Sequence, residues 1–487
     1  MGRNGAMAGL RAIPIGDERF SGKEHQTVTS PYDGEELARV PVCTPADVDR
    51  AVAAATEALR ANPLPLWRRA EILDAAARLL RERTEDFART IATEAAKPIK
   101  TARVEAQRAV STFTFAATEA RKLSGEMVPI EASDVGDGKL AFTIPVPIGV
   151  VGAISPFNFP LNLVAHKVAP AIAAGCPVVL KPATQTPLSA IELAELLLDE
   201  CGLPSGYLNV VTGGGGTVGD AIVEHPDIAL LTFTGSGTVG WAIKAKAGRK
   251  KVGLELGNNA PIILEPDGDW DRAARQISVA GFSHAGQSCI SVQRIYVHED
   301  IADRFTDTLA KLVSDLVVGD PMDDTTDVSA LIAPDDCRRV KEWIDEAVQA
   351  GAHVVTGGDV RDGDSDGDGL LRPTVLRDVT HDMRVMRQEV FGPVVGIETY
   401  RDLEDALALA NDTDYGLQAG IFTRDLDHAL AAARTLEFGG VTVNEVPTWR
   451  ADQMPYGGVK ASGNTREGPA YSVREMTELR LVVVQPS

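Results

Sequence analysis

A chain of 487 residues is longer than one hydrophobic core usually organises, so two or three domains are expected. Its five scattered cysteines (Cys43, Cys176, Cys201, Cys289, Cys337), odd in number and without Cys-x-x-Cys or Cys/His spacing, suggest neither a disulfide framework nor a zinc site. Against 48 basic side chains stand 69 acidic ones, a net charge of -21 that repels nucleic-acid phosphates and anionic membrane surfaces where no block of Lys and Arg overrides it.

In chain order, Met1 to Gly16 holds no continuous apolar core of secretory length, and no run approaches the roughly 20 apolar residues of a membrane span. A reducing, cytoplasmic setting is expected, with no nucleic-acid and no membrane partner. Thr44-Pro45-Ala-Asp47 predicts a capped helix start, with Val48, Val52, Ala55 and Leu59 on one face. A longer helical stretch is expected across Arg68 to Ala95 and another over Thr101 to Lys122, so the first third reads as helical. Extended chain follows between Gly125 and Pro147.

From Ile148 to Leu264 short apolar runs alternate with helices: Gly149 to Ile154, Pro177 to Leu180, Leu208 to Val211, Ala229 to Phe233, Val252 to Leu256 and Pro261 to Leu264. Such runs suit strands buried on both faces, and repeated β-α-β units predict a parallel sheet with ligands at the carboxyl ends of its strands. A second α/β alternation runs from about Asp271 to Phe438, with a helix at Ile301 to Leu316 and a strand at Val394 to Tyr400. The tail Leu479 to Val484 is too isolated for a core strand and is expected to pair with another edge or another subunit. The acidic loop Asp362 to Asp368 opens like a calcium-binding loop, but Pro373 stands where its closing Glu is needed, so a solvated loop is preferred and no metal is expected.

Four segments gain meaning together: Pro156-Phe-Asn158-Phe-Pro160, Leu254-Glu255-Leu-Gly257, Gly286-Gln-Ser-Cys289 and Glu389-Val-Phe391-Gly-Pro393. Alone, Cys289 reads as a small buried hydrophobe, Asn158 as a turn residue and Glu255 as an acid at a strand end. With Lys181-Pro-Ala183, Phe233-Thr-Gly235-Ser236 and Pro455-Tyr-Gly457-Gly458, their order and spacing resemble the aldehyde dehydrogenase superfamily, from the helix near Thr44 to Glu478. The resemblance implies an α/β fold with a Rossmann-like parallel-sheet cofactor domain (1–127 and 147–256) and a second α/β catalytic domain (257–462). It also implies a small β oligomerisation region (128–146 and 463–487) in a homodimer or homotetramer.

The resemblance also implies roles. Cys289 attacks the aldehyde carbonyl and retains the acyl group as a thioester while hydride leaves for NAD(P)+, work for which a soft thiolate needs no strong base. The Asn158 amide and the Cys289 backbone N–H hold the oxyanion. Glu255 activates the hydrolytic water, its apolar neighbours raising its pKa, and relatives that pass the acyl group to coenzyme A commonly lack it, so a free acid is the expected product. Gly235-Ser236-Gly237-Thr238-Val239-Gly240 has Gly-x-Gly-x-x-Gly spacing, and Ser236 with the following helix N-terminus faces the pyrophosphate. Gly213 to Gly216 read as a flexible turn near the adenine side.

Lys181 is the expected partner of the adenosine ribose. Three residues on, Thr184 stands where NAD-preferring relatives usually carry glutamate, which suggests NADP+ or dual use. Glu389 is assigned to the nicotinamide-side ribose and Phe391 to the nicotinamide face. Arg108 and Arg450 are candidates to meet an anionic aldehyde, because a guanidinium fork bonds two oxygens, with an ion pair as the alternative for each. With Cys289-Ile290-Ser291 they resemble the branch containing lactaldehyde and non-phosphorylating glyceraldehyde-phosphate dehydrogenases. Trp449 and His284 are candidates to shape the pocket for a small, polar or anionic aldehyde. Two other readings are a catalytically retired homologue, against which the joint presence of Asn158, Glu255 and Cys289 argues, and an acylating dehydrogenase or thiol esterase.

Overall fold

The computed structural model describes residues 9–360 and 370–486, so the acidic loop at Asp362 to Asp368 lies outside the described residues. Thr44 opens the helix Pro45–Ala61 as the sequence predicts: the Asp47 carboxylate accepts the Thr44 N–H at 2.8 Å, closing a capping box. The long stretch expected from Arg68 to Ala95 is two helices, Leu66–Glu82 and Thr84–Ala95. Arg83 leaves helical geometry between them, and Glu85 and Asp86 favour a fresh N-terminus, where acids complement the helix dipole. The first third is also less helical than its composition suggests. Two small antiparallel pairs precede the helices, Ile13–Ile15 with Glu18–Phe20 and His25–Thr29 with Glu36–Pro41.

Five parallel strands form the first large sheet, in the order Lys251–Glu255, Ile228–Thr234, Val150–Ile154, Val178–Lys181, Leu208–Val210. Val150–Ile154 and Val178–Lys181 are buried along their whole length, which is why they read as continuous apolar runs rather than alternating ones. The second sheet has seven strands, in the order His353–Thr356, Thr374–Arg377, Val394–Tyr400, Val292–His298, Ala260–Leu264, Gln418–Phe422, Gly440–Val443, parallel except for His353–Thr356 at one edge. Each sheet packs its own hydrophobic core.

The run at Pro261 to Leu264 therefore does not close the first set of β-α-β units. It starts a strand of the second sheet, and the connecting residues 256–259 carry the chain from one sheet to the other. A third sheet pairs the tail Thr477–Val484 antiparallel with Leu140–Pro147 over eight residues, with Met127–Val128 beyond. The tail's partner edge thus lies in its own chain. Side chains on one face of that strand, Leu479, Leu481 and Val483, stay exposed. Among the described residues no helix is long and apolar enough to cross a membrane, and no cluster of three His, Cys, Asp or Glu side chains is placed to hold a metal ion.

Candidate active site

Strands of the five-stranded sheet end where strands of the seven-stranded sheet begin, and the predicted chemistry collects at that junction. Asn158 follows the strand Val150–Ile154, Gly235 and Ser236 follow Ile228–Thr234, and Glu255 is the last residue of Lys251–Glu255. From the other side, Cys289 precedes the strand Val292–His298 and Phe391 precedes Val394–Tyr400. Asn158, Gly235, Ser236, Glu255, Cys289, Glu389 and Phe391 all line one cavity of about 530 Å³, as expected for a ligand at the carboxyl ends of a parallel sheet.

The loop that presents Cys289 is strained. His284, Ala285 and Gly286 take left-handed φ values of 51°, 54° and 71° in succession. Each such L residue costs on the order of 1–3 kcal/mol, a strain that clusters at functional sites. Glycine is required at 286 for a second reason, since a Cβ there would fall 2.1 Å from the Gly392 carbonyl oxygen. Two bonds clamp the loop: Asn158 Nδ2 donates to the Gln287 carbonyl at 2.8 Å, and Gln287 Oε1 accepts Ile332 N–H at 2.9 Å. An amide carries two N–H donors, so Asn158 retains one after bonding Gln287. Cys289 is half-buried, whereas the other four cysteines are buried. Its Sγ lies 3.0 Å from the Tyr456 hydroxyl, and burial pushes its pKa up to about 12 against the opposing pull of Tyr456 and Arg450.

A buried ion pair fixes the Asn158 loop from behind. Lys97, fully buried, places Nζ 2.5 Å from both Glu105 Oε2 and the Asn158 carbonyl, and 3.8 Å from the Phe159 ring centroid. The other Glu105 oxygen accepts the Leu161 and Asn162 N–H groups at 3.0 and 3.1 Å, capping the buried helix Asn162–Ala174.

Glu255 is 3% exposed, and neither of its carboxylate oxygens has a hydrogen-bond partner among the described residues. Burial first, then repulsion from Glu467, raises its pKa well above the ordinary carboxylate value, against the pull of Arg450, Lys167 and Arg466. Beside it, Lys167 donates to the Thr234 and Thr232 hydroxyls at 2.7 and 3.1 Å and lies 3.4 Å from Glu467. Glu467 accepts Arg450 Nη2 at 3.0 Å; although burial pushes the other way, Lys167 and Arg450 hold its pKa down to about 2. Glu255 and Glu467 thus share one buried neighbourhood with opposite protonation tendencies, the arrangement that separates acid from base roles.

Of the residues expected to hold the cofactor, Gly235, Ser236, Glu389 and Phe391 line the cavity, whereas Lys181 and Thr184 do not. Lys181 is 5% exposed, and the one bond of its ammonium among the described residues is to the neighbouring Pro182 carbonyl at 3.2 Å, so a group with three donors is left under-used. Burial lowers its pKa to about 8. Thr184 is exposed and donates to the Gly213 carbonyl at 3.2 Å. The Gly213 to Gly216 cluster is not a loose turn: Gly215–Gly219 begins a helical turn that continues into Asp220–Glu224. Ser236 is the N-cap of Gly237–Lys246, and its side chain makes no capping bond there. Burial pushes the pKa of Glu389 up to about 7, opposed by the Asn258 N–H that donates to it at 2.9 Å. Glycine at 257 lets that carboxylate approach the backbone, since a Cβ would lie 2.1 Å from it. Phe391, at φ 47°, packs edge-on against Phe157 with ring centroids 5.9 Å apart.

The four candidate substrate residues do not line the cavity. Arg108, half-buried, is paired with Asp452 at 2.9 Å, and Arg450, its side chain buried, is paired with Glu467, because a buried guanidinium requires a counter-charge. Arg450 also lies 3.6 Å over the Tyr456 ring, and its Nε has no hydrogen-bond partner among the described residues. His284 is buried, both ring nitrogens lack hydrogen-bond partners among the described residues, and burial with the nearby Lys97 charge drives its pKa well below the usual value. Trp449 is 52% exposed. Sequence reasoning gave no role to Tyr456, Lys97, Lys167 or Glu467. One signal was present for Lys167, a charge that with Asn162 and His166 interrupts the apolar run from Leu161 to Ala174.

The aldehyde dehydrogenase family model matches residues 19–482. A 3-sulfolactaldehyde dehydrogenase of Priestia megaterium is 48% identical over 461 residues, covering 95% of each chain. Among solved structures, aldehyde dehydrogenase 21 from Physcomitrella patens, in complex with the reaction product succinate, is 39% identical with a TM-score of 0.93, covering 98% of this chain and 99% of its own. The glyceraldehyde-3-phosphate dehydrogenase GapN of Methanocaldococcus jannaschii, complexed with NADP, is 39% identical with a TM-score of 0.90, covering 95% and 100%. The chain belongs to the aldehyde dehydrogenase family, and it is an NAD(P)-dependent oxidoreductase acting on the aldehyde group.

Proposed function

We propose that this enzyme oxidises a small, polar, anionic aldehyde to the free carboxylic acid, with Cys289 as nucleophile, Asn158 and the Cys289 N–H as oxyanion donors and Glu255 as the base for hydrolysis. The observation that carries the reading is the convergence of these three side chains on one cavity, with the Glu255 carboxylate buried and unpartnered. Attack by sulfur on the carbonyl carbon makes a tetrahedral adduct, whose oxyanion accepts the free Asn158 N–H. When bound, the nicotinamide supplies the acceptor for the hydride that leaves as the adduct collapses. Lys181, Ser236, Glu389 and Phe391 would hold the dinucleotide, Gly235 would keep side chains clear of its pyrophosphate, and Glu255 takes a proton from the water that attacks the thioester. Thr184 beside Lys181 leaves room for a 2'-phosphate, which favours NADP+ or dual use.

Relatives named for 3-sulfolactaldehyde and lactaldehyde support a small polar substrate. Arg450 and Arg108 are the candidates to meet the anionic group, both held in ion pairs outside the cavity lining, and His284 and Trp449 are the candidates to shape the approach. Arg450→Leu is expected to raise KM for an anionic aldehyde at least tenfold more than for an uncharged one of equal size; equal effects would refute the anion site. Reduced-cofactor absorbance over an aldehyde panel, with both nucleotides and with and without coenzyme A, tests the whole reading. Turnover independent of coenzyme A is expected, whereas absence of turnover, or turnover only with coenzyme A, would restore the retired-homologue or acylating alternative.

We propose domains at 1–127 with 147–256, 257–462, and 128–146 with 463–487, a division supported by the three larger sheets. The exposed apolar face of Leu479, Leu481 and Val483 supports a homodimer or homotetramer formed through it. Five unpaired cysteines suit a cytoplasmic location.

A further inference from the structure

The Cys289 thiol has one hydrogen-bond partner among the described residues, the Tyr456 hydroxyl at 3.0 Å, and the mechanism above gives that hydroxyl no task. A thiol and a phenol can each donate to the other, but a thiolate has only lone pairs, so once Cys289 ionises Tyr456 must be the donor. We propose that Tyr456 is a catalytic residue whose O–H stabilises and aims the Cys289 thiolate, and that Arg450, stacked on its ring, holds it in place. The proposal rests on Cys289 being the nucleophile.

Several features support it. Tyr456 is 2% exposed, and no described group other than Cys289 competes for its hydroxyl. Arg450 lies 3.6 Å from its ring centroid, tied in turn to Glu467, while Thr448 Oγ1 donates to the Ile290 carbonyl at 2.8 Å and ties the same segment to the residue after the nucleophile. Burial and the neighbouring sulfur keep the phenol protonated, with its pKa well above 10, so the donor is available wherever the enzyme works. The charged groups facing Cys289 are Arg450 from this segment, Glu255 from the end of the first sheet and Glu389 from the second; both acids oppose the thiolate, which leaves Tyr456 and Arg450 as the groups that favour it. In ionisation the S–H bond breaks, its electron pair stays on sulfur and the proton passes to water.

The test is the rate of Cys289 alkylation by iodoacetamide against pH, in the full-length enzyme without nucleotide, with the modified peptide identified by mass spectrometry. Tyr456→Phe removes one oxygen and retains the ring under Arg450, and its melting curve reports folding. Loss of a charge-assisted hydrogen bond should raise the thiol pKa by about one unit. Below that pKa the thiolate fraction falls tenfold, and the greater nucleophilicity of a more basic thiolate returns about threefold, so alkylation should slow about three- to fourfold at every such pH. The readout holds wherever the absolute pKa lies. An unchanged rate and profile in Y456F would overturn the proposal, as would an unchanged profile with KM raised only for hydroxylated aldehydes, which would make Tyr456 a substrate-binding residue. Turnover retained in Cys289→Ala would instead refute the reading on which the proposal rests.

Discussion

Glu255 shows how the burial of a single carboxyl links stability to pH. A carboxyl with a raised folded-state pKa binds more protons folded than unfolded between its unfolded value, about 4.3, and its folded one, so the stability it contributes is complete below that window and is lost as pH rises through it. Glu255→Gln should therefore raise the melting temperature, with the gain over wild type growing from pH 5 to pH 8; a gain that shrinks with pH would contradict the burial argument. In turnover, the hydrolytic step should rise with pH along a limb above the ordinary carboxylate range, absent from E255Q. Much of this site was legible in the sequence because each of Asn158, Glu255, Cys289, Glu389 and Phe391 sits in a short contiguous motif. Tyr456, Lys97 and Glu467 were not assigned, because their roles come from partners 167, 61 and 17 residues away in the chain.

At the scale of elements, strands that cross the molecule's interior announced themselves as apolar runs, while the short N-terminal pairs, three to six residues each, were too brief to show a period. Nor does periodicity reveal which sheet a strand joins, so Ala260–Leu264 read as part of the first. The Lys97–Glu105 pair illustrates an element-level dependence, since it links the helix Ile99–Lys122 to the Asn158 loop and to the start of the helix Asn162–Ala174. Glu105→Ala leaves an unpaired buried ammonium and is expected to cost about 3–5 kcal/mol in chemical denaturation. A loss below about 1 kcal/mol would show that the pair is not holding the loop. For the tail strand, Leu481→Asp should shift the enzyme toward monomer in size-exclusion chromatography; an unchanged elution volume would remove that face from the assembly.

Across the whole molecule, the site exists because the carboxyl ends of one sheet meet the amino ends of another, with residues 256–259 as the bridge between them. One sheet supplies Asn158, Ser236 and Glu255, and the other frames the loops carrying Cys289, Glu389 and Phe391. Glu255 and Cys289 thus come from segments belonging to different sheets, each with its own packed core. The most direct test is a single-turnover reaction of E255Q with aldehyde and NADP+, followed by mass analysis of the quenched protein. Close to one equivalent of reduced cofactor per site and an acyl group on the Cys289 peptide are predicted. An acyl group on any other residue, or reduced cofactor formed by Cys289→Ala at the wild-type rate, would contradict the account.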